Sequence, residues 1–302
     1  MLRWRLASAA VIVGVLVALV VLDFRLVGTR SPGVWLLPVL LTVCGMGAWE
    51  VVSLLRHGGY PLRPALTTAL TVLVTLSFCG WIVAELFQGP LPARLGNQTY
   101  EAPLLGVIGA AMVLLTVEIA RFSGDGKGIL HAGLALFVVV YIGGLFGFLA
   151  LLRGFHSNAW GLTALVSTLT ITKFADTGAY FTGRTLGRHK MTPLLSPGKT
   201  IEGAVGGVLT ACLVAWLFFN VLAPALIGTP ALDAWRCLAY GAVLAVAGMF
   251  GDLAESMLKR EMRSKDSSTW LPGLGGVMDI IDSVLFAAPA AYLCFVLGLV
   301  GP

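Results

Sequence analysis

The sequence predicts an all-α, polytopic integral membrane protein with about nine transmembrane helices. Three observations carry that prediction. Hydrophobic residues fill 58% of the 302 positions and charged residues 12%, and the mean hydropathy of +0.91 lies outside the soluble globular range. Apolar runs long enough to cross a bilayer, about 17 to 25 residues each, recur along the whole chain. The charges fall mainly in the stretches between those runs.

Taken in order, the runs occupy roughly 7–22, 34–55, 65–87, 103–121, 129–152, 160–182, 203–226, 236–258 and 277–299. The first follows Arg3 and Arg5 as a signal peptide would, but no small-x-small cleavage site precedes the Asp23–Arg30 turn, so a retained helix is expected. The next four are joined by turn-rich, chemically plain loops at 28–33, 56–64, 87–103 and 123–128. Glu50, Glu85 and Glu118 lie inside or near the ends of helices; with no motif beside them, structural or interfacial roles are favoured. Gly143, Gly144 and Gly147 have the small-residue spacing that lets membrane helices approach closely.

The sixth run carries Lys173 and Asp176 about one turn apart, close enough to pair, and leads into a basic loop, Gly183–Lys190. SPGKTIEG at 196–203 follows. There Pro197 and Gly198 are expected to set a turn, Lys199 offers an ammonium, and Thr200 can cap the seventh helix with Glu202 in its first turn. Helix starts of this kind attract phosphate, although the GxxxxGK[ST] spacing of a P-loop is absent. By this division, residues 1–155 form a scaffold of transmembrane helices with lipid or oligomer contacts, and residues 156–302 form a catalytic region.

Net charge is +5, yet the basic residues are spread over inter-helix loops, which argues against a nucleic-acid partner and for a topological signal. With the N-terminus cytoplasmic, 14 of the 20 Lys and Arg fall on the cytoplasmic side; Arg25, Arg30, Arg94, Arg153 and Arg236 fall opposite, and Lys173 lies within a helix. A multi-pass protein of the cell's cytoplasmic (inner) membrane is expected, with its N-terminus and active-site loops facing the cytoplasm. Cys44, Cys79, Cys212, Cys237 and Cys294 form no CxxC pair and read as packing residues.

The most informative stretch is Gly251–Ser283, which sets carboxylates, cations and glycines into an otherwise apolar protein. Asp252 and Glu255 share a helix face, and Asp279 and Asp282 repeat that spacing after a glycine-bearing turn. Two acidic faces can hold a hard cation. Lys259, Arg260, Arg263 and Lys265 lie between them, residue types that neutralise a polyphosphate whose Mg²⁺ the carboxylates bind. Phosphoryl or nucleotidyl transfer is the chemistry this suggests.

Taken together, DTGAYFTGRTLGR (176–188), SPGKTIEG (196–203), GDLAESMLKR (251–260), KD (265–266), LPGLGG (271–276) and DIIDS (279–283) resemble the phosphatidate cytidylyltransferase (CDP-diacylglycerol synthase) family in order and spacing. The resemblance implies attack of phosphatidic acid on the α-phosphorus of CTP, with CDP-diacylglycerol and pyrophosphate as products in phospholipid biosynthesis. It implies Mg²⁺, with room for a second cation, held by Asp252, Asp279 and Asp282, and catalytic Lys259 and Lys265 at the phosphates. Asp176, Ser196, Lys199, Thr200, Glu202, Ser256, Arg260 and Asp266 would bind the nucleotide or the lipid head. CTP, phosphatidic acid and membrane lipids are the implied partners, with a homodimer as an option.

Two positions depart from the family pattern. Leu274 stands where the family usually has His in P-G-H-G-G, and Ile280 where it has Arg in D-R-x-D. Arg263 or Lys190 is the expected source of the missing charge. The rival readings are a CTP-dependent polyprenol or phytol kinase, a non-catalytic relative, and a transporter; against the last, the polar residues gather at one surface and line no path through paired broken helices.

Overall fold

The computed structural model describes residues 2–26, 32–80, 82, 101–122, 124, 126–264, 268 and 275–302, with side chains in the first helix from residue 13 onward. Among the described residues the chain forms nine helices and one small hairpin: α1 (Leu2–Arg25), α2 (Leu37–His57), α3 (Pro64–Ser77), α4 (Glu101–Ile119), α5 (Gly128–Arg153), α6 (Asn158–Leu186), β1 (Lys190–Thr192), β2 (Ser196–Thr200), α7 (Ile201–Leu226), α8 (Ala234–Glu261) and α9 (Met278–Val296). Six of these helices, α2, α4, α5, α7, α8 and α9, are long and apolar enough to cross a membrane. α6 has 29 residues, ample length at 1.5 Å per residue; its Ser and Thr residues and the Lys173–Asp176 pair dilute its apolar character.

The chain divides into two compact units, one of Met1–Leu151 with Glu261–Ile280, the other of Leu152–Arg260 with Ile281–Pro302. In the first, α3 packs against α2 and against a π-helical turn at Val139–Gly144 within α5. The wider turn shifts the Gly143 carbonyl out of the regular ladder, where Thr75 Oγ1 donates to it at 3.2 Å. Cys44, Val51, Val52, Val74 and Ile142 fill the space around this crossing.

Two buried carboxylates of this unit serve the backbone. Asp23, 1% exposed, accepts from Gly33 N at 3.0 Å and Trp35 N at 3.3 Å, closing the turn ahead of α2. Glu50, also 1% exposed, accepts from Val277 N at 2.8 Å, Met278 N at 2.9 Å and Ser268 Oγ at 2.6 Å. It therefore caps α9 from a helix more than two hundred residues away, a structural role of the kind its lack of a neighbouring motif suggested. Glu85 lies outside the described residues.

In the second unit α6 and α7 run against each other through small residues: a Cβ at Gly206 would collide with the Thr182 side chain. Tyr240 of α8 is fully buried, its hydroxyl 3.2 Å from Ser167 Oγ and 3.0 Å from Thr168 Oγ1 of α6, and its ring meets Phe219 and Phe295 edge-on. Pairing the phenol with α6 hydroxyls satisfies a polar group that would otherwise be costly in an apolar core. The helix start at α6 is capped by Ser157, which accepts from Trp160 N.

Candidate functional site

Three features of local sequence build the site within the second unit. First, β1 and β2 pair antiparallel, Lys190 with Thr200 and Thr192 with Ser196. Pro197 and Gly198 thus lie in extended backbone of β2, and the chain reverses at 193–195, which corrects the turn expected at Pro197–Gly198. A two-stranded ribbon has only edges, so proline's missing N–H costs no ladder bond there. Second, Thr200 caps α7 as expected, its Oγ1 accepting from Gly203 N at 3.1 Å. Third, Gly251 has no side chain to hold α8 away from α9: an added Cβ would run into the Asp282 carbonyl.

That close approach gathers three carboxylates. One oxygen from each of Asp252, Glu255 and Asp282 lies within 4.8 Å of the others. Each acid has a lysine partner: Lys199 Nζ is 2.8 Å from Asp252, Lys259 Nζ is 3.0 Å from Glu255, and Lys173 Nζ is 3.9 Å from Asp282. Lys173 also reaches Asp176 at 3.3 Å, the pairing its spacing suggested. Ser283 Oγ donates to Asp176 Oδ2 at 2.8 Å. A donor set of three carboxylates, without sulfur or imidazole, suits a hard divalent cation such as Mg²⁺.

Beside the cluster lies a cavity of about 580 Å³, within the usual range for small-molecule sites. Its walls are the polar face of α6 (Asp176, Tyr180, Gly183, Arg184), the hairpin (Lys190, Ser196, Gly198, Lys199), the start of α7 and the Ala245–Asp252 side of α8. Asp252 and Lys199 belong to both cavity and cluster. An anion entering here meets Arg184, Lys190 and Lys199, beside the start of α7, whose helix dipole favours negative charge.

Of the residues singled out in the sequence, Asp176, Ser196, Lys199, Thr200 and Asp252 line this cavity, and Asp282 joins the carboxylate cluster. Glu202 does different work. Its carboxylate accepts from Arg188 N at 3.0 Å and His189 N at 3.2 Å and lies 2.6 Å from His189 Nδ1, so it fastens the base of the hairpin to α7. Arg260 donates through Nε to the Leu195 carbonyl at 3.3 Å, steadying the hairpin's reversal. Ser256 is half-buried on α8. Asp279, one turn before Asp282 on α9, accepts from Gly276 N at 2.7 Å. Lys265, Asp266 and Leu274 lie outside the described residues.

Lys173 and Ser283 were not among the residues expected to form the site, and Glu255, expected on an acidic helix face able to hold a cation, was absent from the ligand set that the resemblance implied. The signals for them were present in the sequence: Glu255 stands three residues after Asp252, Lys173 is a cation inside an apolar run, and Ser283 adjoins Asp282. What the sequence lacked was the pairing of α6 with α9, which brings Lys173 to Asp282.

A model of the cytidylyltransferase family matches residues 4–297 of the chain. The chain is similar to the phosphatidate cytidylyltransferase of Bacillus subtilis, 31% identical over 292 residues that cover 96% of this chain and 97% of the relative. It is 33% identical to that of Staphylococcus haemolyticus over 66% of this chain and 72% of the relative. With that of Haemophilus influenzae identity is 41% over 134 residues, a match spanning about half of each protein, 44% and 46%.

Proposed function

The chain belongs to the cytidylyltransferase family, and from that premise we propose that it transfers the cytidylyl group of CTP to phosphatidic acid, forming CDP-diacylglycerol and releasing pyrophosphate. The observation that carries this reading is the meeting of three carboxylates and three lysines in a cluster that reaches the cavity through Asp252 and Lys199. A nonionic or purely apolar ligand gives no reason for such a cluster in a membrane protein.

The reaction forms a bond between a phosphatidate oxygen and the α-phosphorus and breaks the bond from that phosphorus to the bridging oxygen of the β-phosphate. The nucleophile is already anionic, so no general base is required. The protein must align two anions that repel each other and offset charge as pyrophosphate departs. Asp252, Glu255 and Asp282 are the residues that would hold Mg²⁺, which supplies charge neutralisation and polarises phosphate oxygens when bound. Lys199 stands at the cavity end of this arrangement, on the strand that leads into α7. With Asp252 holding a cation, the Lys199 ammonium would be available to a phosphate oxygen. Arg184 and Lys190 offer further donors along the cavity, and the Thr200-capped start of α7 favours negative charge. Asp279 remains a candidate ligand through its place on α9, and Lys265 and Asp266 remain candidates for phosphate and nucleotide contact.

The deciding experiment supplies purified protein in detergent with phosphatidic acid, Mg²⁺ and CTP labelled in the α-phosphate, followed by lipid extraction. Label is expected in the lipid phase with release of pyrophosphate. CDP as the nucleotide product would identify a CTP-dependent lipid kinase instead, and an inert protein would identify a non-catalytic relative. The site is assigned to the cytoplasmic face of the inner membrane on the cationic bias of the loops. Single cysteines at Thr185 and Ser268 should therefore resist an impermeant maleimide in intact cells, and strong labelling of either refutes that orientation.

A further inference from the structure

Lys173 is an anomaly among the lysines of the site. Lys199 sits on the hairpin and lines the cavity, and Lys259 pairs with Glu255 one turn before it on the same helix. Lys173 instead joins two helices. From α6 its ammonium reaches Ser283 Oγ at 2.8 Å and Asp176 Oδ2 at 3.3 Å and lies 3.9 Å from Asp282 Oδ1. Two of its N–H donors thus bond oxygens of Ser283 and Asp176, and the Asp282 carboxylate lies within ion-pair reach.

The oxygens themselves are drawn together without it. Ser283 Oγ donates to Asp176 Oδ2 at 2.8 Å, and Ser283 N donates to Asp282 Oδ1 at 2.6 Å. Asp176 and Asp282 are thereby held around one residue, and two neighbouring carboxylates disfavour joint ionisation unless a cation stands between them. An ammonium tethered to α6 occupies that place.

We propose that Lys173 is the built-in second cation of this site: it positions Asp176 and Asp282, so that the carboxylate cluster takes a single divalent ion. The inference rests on the cytidylyltransfer reading, because it assigns Lys173 a part in arranging the groups that serve the phosphates. Lys173 is a positioning residue in this account and makes no contact with the reacting atoms. The place it fills has the chemistry of a cation site, with two carboxylate oxygens and a hydroxyl, and opens to an ion when the ammonium is removed.

Equilibrium Mn²⁺ binding by electron paramagnetic resonance, on the full chain in detergent and without substrates, tests this directly. Wild type and Lys173→Arg are expected to bind one ion per chain, and Lys173→Met two. In parallel, the Mg²⁺ dependence of CDP-diacylglycerol formation should change from hyperbolic in wild type to sigmoidal in Lys173→Met. Two ions on the wild type, or one ion on Lys173→Met with wild-type Mg²⁺ dependence, overturns the proposal. If Lys173→Met does not fold, Lys173→Gln, which keeps a donor for Ser283, carries the same expectation of two ions. Ion counts of this kind stand apart from the product assay. A chain that makes no CDP-diacylglycerol sinks the functional reading even if the counts are as expected, and a productive chain with the wrong counts sinks only the role of Lys173.

Discussion

Glu50→Gln isolates the device that holds the first turn of α9. The carboxylate accepts from Val277 N, Met278 N and Ser268 Oγ at 2.6–2.9 Å, and the residue is 1% exposed, so water cannot replace a lost partner. An amide of the same size has one acceptor oxygen in place of two. With that oxygen kept on Val277 N and Ser268, the amide nitrogen faces Met278 N, donor against donor. Leaving one buried N–H unsatisfied costs about 1–3 kcal/mol, and removing a negative charge from a helix start adds about 0.3–1 kcal/mol. The sum of about 1.3–4 kcal/mol corresponds to a Tm lower by about 3–8 °C at about 2 °C per kcal/mol for a chain of this size. Thermal unfolding of the purified protein in detergent, followed by tryptophan fluorescence, measures it. Glu50→Ala should fall further, since three donors lose their acceptor. A Tm within about 1 °C of wild type for both variants refutes the cap.

Asp252→Asn and Asp282→Asn should each lose roughly 10²-fold or more in turnover while remaining folded in the membrane; near-normal rates at saturating Mg²⁺ remove the residue from the ligand set. Lys199→Ala should raise the KM for CTP more than that for phosphatidic acid, and steady-state kinetics with both KM values unchanged moves the nucleotide site elsewhere. Gly251→Leu forces α8 away from the Asp282 carbonyl and should abolish Mn²⁺ binding measured without substrate; retained binding shows that the cluster does not depend on this approach. Leu274→His combined with Ile280→Arg should leave CDP-diacylglycerol as the product, and activity found only in the double variant shows that the natural chain has lost the reaction.

Length and apolar character were enough to place most of the helices, because a segment that spans a bilayer must be long, apolar and internally hydrogen-bonded; α3, expected to run to 87, ends at Ser77. α5 and α7 depart from the expected runs by a few residues at most, and the π turns within them left no mark in the apolar pattern. The Thr200 cap was equally legible, being a matter of residues three apart. The hairpin was not, since Pro197 and Gly198 carry a strong local turn signal that pairing with β1 overrides. The resemblance implied a substrate contact for Glu202, but the partners it has, Arg188 and His189, are brought to it by the return of the chain through the hairpin. Lys173 illustrates the general limit. Its pairing with Asp176 is a local fact of helix geometry, whereas its approach to Asp282 and Ser283 depends on which helices pack together. The cation that faces Asp282 is therefore one that single-helix spacing cannot find.

The charge pattern of the site also explains why so costly an arrangement persists. Asp176, Asp252, Glu255 and Asp282 bring four negative charges, and Lys173, Lys199 and Lys259 bring three positive ones. Ion pairs that are partly withdrawn from water seldom add net stability over apolar packing of similar volume, so stability alone gives no reason for the set. With one negative charge in excess, the cluster favours a cation but repels a polyphosphate. On the proposed function, a divalent ion held by these acids would reverse that excess and leave lysine donors for the phosphates. Lys199, whose Asp252 partner lines the cavity with it, is the donor that this reading assigns to the phosphates. Lys173, held by three oxygens on two helices, stays in place. The two lysines are chemically alike and differ in tether, and on the proposed function that difference separates the one assigned to substrate from the one assigned to hold the carboxylates in position.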